Sequence, residues 1–173
     1  MNLIKKQGLG TWISLGALLL SIVGLIIYGV ALAGGTNLTI ASGSEMFYLA
    51  ERVEDTEMMS KVVLCGVLAL VFLVAAIVLG QFKFDGIVGK VVGIVVGALR
   101  AVVAALIFTT LLYFAYGSLT GLGWTFFSNE ELFIYPEAIT VGNQVIAGLV
   151  IFGIAGLVAI VASFFSITKK NAD

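Results

Sequence analysis

Residues 86–116 read GIVGKVVGIVVGALRAVVAALIFTTLLYFAY, and this stretch decides the fold. It holds no proline and only two charges, Lys90 and Arg100. At 1.5 Å per residue it is long enough to cross a hydrocarbon layer of about 30 Å as a helix. Backbone amides and carbonyls find no water inside lipid, so a helix is the form in which one segment satisfies its own polar groups. The stretch therefore predicts a membrane helix over 87–116.

Working outward, three further apolar runs predict membrane helices over 9–33, 62–79 and 145–167. Composition agrees, with 61% hydrophobic and 11% charged residues against about 25% charged in soluble domains. A chain of 173 residues is expected to form a single domain. The expected fold is an all-α integral membrane protein with four transmembrane helices in one bundle, residues 1–173 forming a single membrane domain. The lead Met1–Lys6 and the run after it imitate a secretory signal. That run is about twice the usual 7 to 15 residues of a signal core, and so reads as the first membrane helix.

Two small-residue patterns predict how the helices meet. Gly10, Ser14, Ala17, Ser21, Gly24, Tyr28 and Ala31 alternate steps of four and three, the spacing of a left-handed packing seam. Gly89, Gly93, Gly97, Ala101, Ala105 and Thr109 recur every four residues, which keeps them on one slowly drifting side of their helix. That flat side is a candidate docking face, because lipid tails are as apolar as side chains and helix association then draws on close packing. It serves either the protein's own bundle or another membrane protein.

Arg100 is the candidate polar site. With Lys90 at the interface, Arg100 lies roughly 15 Å into the hydrocarbon, close to the middle. Such a residue costs about 2.5 to 3.5 kcal/mol on insertion scales, less if the side chain bends back to the interface. No acidic residue occurs in any apolar run. Hydroxyls such as Ser14, Ser21, Ser163 and Ser166, carbonyls near glycines, a lipid phosphate or a partner's acid are the available compensations. Function and simple snorkelling both fit.

Charge sets the expected topology. Lys5, Lys6, Lys83, Lys90, Lys169 and Lys170 fall on one side of the four helices, Arg52 and Lys61 on the other. Positive charge marks the cytoplasm, which places both termini inside and two long loops, about 34–61 and 117–144, outside. Those loops hold eight acidic residues against two basic ones, a net of −6. Glu45, Glu51, Glu131 and Glu137 stand for this outer acidic surface, which reads as a cation-collecting vestibule or as a polar cap that solvates the loops. Ser128, Glu131, Phe133 and Glu137 repeat Ser42, Glu45, Phe47 and Glu51 at an offset of 86. The repeat points to a duplicated two-helix unit, or to two similar capping boxes at helix starts.

Several function classes find no support in the residues. There is no His, the single Cys65 has no partner for a disulfide, and no nucleophile pattern accompanies the loop carboxylates, so no enzyme, cofactor or metal site is expected. No basic patch suggests nucleic acid. Two readings remain. The first is a non-catalytic plasma-membrane protein, a subunit or scaffold that binds a membrane-protein partner or itself through small-residue helix faces. The second is a small transporter or channel with an acidic outer vestibule and Arg100 in its pathway. A water-filled cavity lined by Arg100 would favour transport, and a position facing lipid or a partner would favour the module.

Overall fold

The computed structural model describes residues 8–34, 55–82, 84–128 and 136–167. Four helices carry the fold. They are α1, Leu9–Ala33; α2, Asp55–Leu79; α3, Gly86–Gly123; and α4, Pro136–Ser163. A single π-helical turn, Trp124–Ser128, extends α3. All four are long and apolar enough to span a membrane, and no strand occurs among the described residues.

The first helix coincides with its apolar run. The others are longer than expected at their loop ends. α2 starts at Asp55 and not near 62, α3 continues past 116, and α4 starts at Pro136 and not at 145. Apolar runs mark only the part of a helix that lipid or core selects, whereas helix propagation continues through polar residues such as Asp55, Thr56 and Glu57. The stretch expected as a loop over 117–144 is largely helical instead, since α3 with its π-helical turn reaches Ser128 and α4 begins at Pro136. Pro136 occupies the first helical position of α4, where its missing N–H is no loss and its fixed φ suits the helix.

Each helix buries one stripe. In α1 the stripe is Gly10, Thr11, Ser14, Ala17, Ser21, Gly24, Tyr28 and Ala31. In α4 it runs through Ala138, Val141, Val145, Gly148, Phe152, Ala155, Ala159 and Ala162. Steps of three and four in alternation have a mean of 3.5, so the stripes stay face to face when helices cross at a shallow left-handed angle. The helices form a ring in which α1 packs on α4, α4 on α3, α3 on α2 and, less extensively, α2 on α1.

Aromatic rings fill the middle of that ring. Phe114 meets Tyr28 edge to face at 4.9 Å between centroids and Phe152 edge to face at 6.2 Å, geometries favoured by the ring quadrupoles. Glycines supply the room. A Cβ on Gly148 would lie 2.6 Å from the Phe114 ring, one on Gly24 3.0 Å from Phe152, and one on Gly156 2.8 Å from Phe108. Hydroxyls within the helices bond back to their own turns, as Ser21 does to the Ala17 carbonyl at 2.8 Å and Ser118 to that of Phe114 at 2.7 Å. This satisfies them where no water is at hand.

Candidate functional site at Arg100

α3 is the element that does not fit the ring. Along α1 the bundle measures about 35 Å from Gly10 to Ala33, whereas α3 measures about 57 Å at the same rise per residue. Its buried residues begin only at Arg100 and continue through Val103, Ala104, Ile107, Thr110 and Phe114. The preceding segment, 86–99, contains no buried residue, and Ile87 and Ile94 are 80% and 73% exposed. About 21 Å of apolar helix thus continues past the bundle.

Arg100 marks the point of entry. The residue is 6% exposed, and its Nη1 donates to the Phe165 carbonyl oxygen at 2.7 Å. Phe165 lies in the turn that follows α4. Gly10 rests on the same turn, so closely that a Cβ there would stand 2.5 Å from the Phe165 oxygen and 2.6 Å from that of Ser166. Thr11 Oγ1 donates to the Ile167 carbonyl at 3.1 Å, and Gly80, just after α2, sits against the Ile167 side chain. Arg100 is therefore level with the start of α1 and the ends of α2 and α4. Counting from Lys90 led to a mid-membrane position. That count assumed that Lys90 was level with the other helix ends, and α3 instead overshoots them.

The partner of Nη1 is a carbonyl beside a glycine, one of the compensations foreseen from the sequence. Ser14 and Ser21 do not serve; Ser21 bonds within α1 and the buried Ser14 hydroxyl has no hydrogen-bond partner. Ser163 donates to the Ile160 carbonyl at 2.6 Å. The rest of the guanidinium is unmatched: Nε and Nη2 are buried and neither makes a hydrogen bond. These two groups form one edge of the planar fork, with parallel donors spaced for two oxygens of one oxyanion.

Arg100 lines a cavity of about 550 Å³ together with Gly80, Gln81, Phe82, Phe84, Asp85, Gly89, Val92, Gly93, Val96, Gly97, Ser166 and Ile167. The floor is the ladder face of α3. Gly93 and Gly97 have nothing within 4 Å of where a Cβ would be, whereas Gly89 lies against the Phe84 carbonyl. Farther along, Ala101 and Ala105 are exposed. No helix of the chain's own bundle lies on Gly93 or Gly97. The reason is geometric, since a step of four residues drifts by about 40° around a helix and so leaves the 3.5-residue seam on which α3 meets its neighbours.

Glu45, Glu51 and Glu131 lie outside the described residues, as do most positions of the 86-residue repeat, and Glu137 falls in the first turn of α4. Cys65 is a half-buried free thiol in α2. Among the described residues, no three His, Cys, Asp or Glu side chains gather as metal ligands would. Sequence reasoning found Arg100 but missed Phe165, Gly80, Phe82 and Phe84 as its surroundings, because apolar and glycine residues give no signal of a long-range meeting. Comparison with known protein families, curated proteins and solved structures finds no match.

Proposed function

We propose that this chain is a non-catalytic membrane module, a subunit or scaffold that associates side by side with another membrane protein through the overshooting segment 86–99. The carrying observation is that this segment, apolar apart from Lys90, contains no buried residue, leaves Ile87 and Ile94 largely exposed, and presents the open glycine notches Gly93 and Gly97. Apolar helix surface left uncovered where α3 passes the ends of its neighbours is what a partner would cover, and the open glycines let its backbone come close.

The cavity lined by Arg100 is the feature that favours the transporter reading, and the filled interior beyond it weighs against that reading. The cavity at Arg100 reaches no farther along α3 than Arg100 itself, and the core beyond it is occupied by the fully buried Val103, Ile107, Phe114, Phe152 and Tyr28. A path through one copy of the chain would have to displace these side chains. The charge distribution supports cytoplasmic termini and a plasma-membrane location as part of the same proposal. The duplication has support in the packing, because the two most extensive helix pairings, α1 with α4 and α2 with α3, exchange under a twofold relation between halves.

Native mass spectrometry after extraction in a mild detergent tests the module. A complex with a second membrane polypeptide, lost in Ile87→Ser and Ile94→Ser variants that still fold and leave the Arg100 cavity unchanged, is the expected result. A monomer without a protein companion, behaving identically in both variants, would overturn it.

A further inference from the structure

We infer that the cavity at Arg100 binds the phosphate of an anionic phospholipid headgroup, with the Nε–Nη2 edge of the guanidinium as its anchor. Four observations converge. The guanidinium is almost wholly buried, and one of its nitrogens is committed to a backbone carbonyl while the adjoining edge has no partner. A buried charged donor left in this state is costly, and a bound oxyanion with two oxygens would satisfy both N–H groups at once. The side chain of a helical arginine leans toward the N-terminus of its helix, over the preceding turn. In α3 that turn contains Val96 and Gly97, both of which line the cavity.

Position identifies the class of anion. Arg100 is level with the ends of three helices, where the bundle meets the plane of lipid headgroups, and a phosphodiester is the anion present there at high local concentration. The cavity extends from Arg100 along the open glycines Gly97 and Gly93, away from the bundle, and offers space for the polar group esterified to the phosphate. Asp85 lines the opposite end, just before the start of α3, and is exposed, so solvent screens its carboxylate. The two donors are shut off from solvent, so binding turns the side chain into the cavity. Gly97 leaves the room for that movement. This inference does not rest on the proposed module.

The test uses the full chain purified in detergent and depleted of lipid, with thermal unfolding and native mass spectrometry as readouts. Phosphatidylglycerol is expected to bind saturably and raise the unfolding temperature, whereas a galactosyl diacylglycerol, which has the tails but no phosphate, leaves it unchanged. Affinity for phosphatidylglycerol should fall by about tenfold or more in Arg100→Leu, since two charged hydrogen bonds are lost. Arg100→Lys keeps the charge without the fork and should fall between the two. Gly97→Leu fills the cavity without touching the charge, and should abolish binding even if Arg100→Leu does not fold. Inorganic phosphate is the separating arm. Stabilisation by phosphate alone, equal to that by the lipid, keeps the oxyanion site but assigns it to the free ion. Equal lipid binding in wild type, Gly97→Leu and Arg100→Leu overturns the inference, as does a partner protein's carboxylate found crosslinked at position 100.

Discussion

Arg100 and Phe165 are joined by a 2.7 Å hydrogen bond from Nη1 to a backbone carbonyl, which ties the point where α3 enters the bundle to the turn where α4 stops. Gly10 holds the same turn from the other side, and Thr11 bonds to the Ile167 carbonyl two residues on. Two helix ends and the point where α3 enters the bundle are thus fastened around one guanidinium. The fastening uses only part of that group, and the unused part leads to the first prediction.

Arg100→Leu is expected to leave the lipid-depleted protein as stable as wild type, or more so. Each buried unpartnered donor costs about 1 to 3 kcal/mol, and the single bond to Phe165 returns about 1.5 to 3. Apolar replacement of a poorly compensated buried charge is often neutral or stabilising. Chemical denaturation in detergent reads this directly. A loss of more than about 2 kcal/mol would show that the Phe165 bond outweighs the two open donors.

Gly10→Ala is expected to be among the most damaging small changes in α1. The added methyl meets the Phe165 and Ser166 carbonyl oxygens at 2.5 and 2.6 Å, and backbone cannot swing aside as a side chain can. Overpacking of this kind costs about 1 to 3 kcal/mol, and here it also moves the carbonyl that Arg100 uses. Gly153→Ala is the control. Nothing lies within 4 Å of that Cβ position, so the change should be neutral or stabilise by up to about 1 kcal/mol through helix propensity. Equal midpoints for the two variants would refute the contrast.

The Phe114 ring and Gly148 should behave as a coupled pair. Gly148→Ala drives a methyl to 2.6 Å from the ring and should destabilise, whereas the same change made together with Phe114→Leu should do less harm than the sum of the two alone. A double-mutant cycle measures this, and strict additivity would contradict the observed contact.

Removing the Tyr28 hydroxyl is expected to matter little and removing its ring to matter greatly. Tyr28→Phe gives up a 3.3 Å bond to the Met59 carbonyl, worth about 0.6 kcal/mol on the average for membrane proteins, and keeps the edge contact with Phe114. Tyr28→Ala also opens a hole in a fully buried aromatic cluster, which costs about 3 to 5 kcal/mol for a large ring. The ratio of the two losses is the quantity to compare.

The seam of α1 could be read from its residues alone. Small residues at alternating three- and four-residue steps occupy one face whatever surrounds them, and those named from the sequence are among the residues that the bundle buries. In α4 the residues Gly148, Ala155, Ala159, Ala162 and Ser166 make a similar small-residue stripe, of which the bundle buries the first four while Ser166 stands exposed beyond the helix end. The ladder of α3 was visible too, but not what lies against it. A period of four describes a face, and only the register of the neighbouring helices says whether that face is covered.

By itself, then, the sequence determined the number of membrane-length helices, the faces on two of them that pack, and the presence of one charge among apolar residues. Each of these follows from local periodicity and hydropathy, which depend on neighbours in the chain. The tertiary structure alone decided how far α3 runs past the other three, and hence that Arg100 stands at the end of the bundle and not in its middle. It also decided that a carbonyl 65 positions away meets that charge. Relative displacement along parallel axes is fixed by how knobs on one helix fit notches on the next, such as Phe114 into Gly148 and Phe108 into Gly156, and no single helix carries that information.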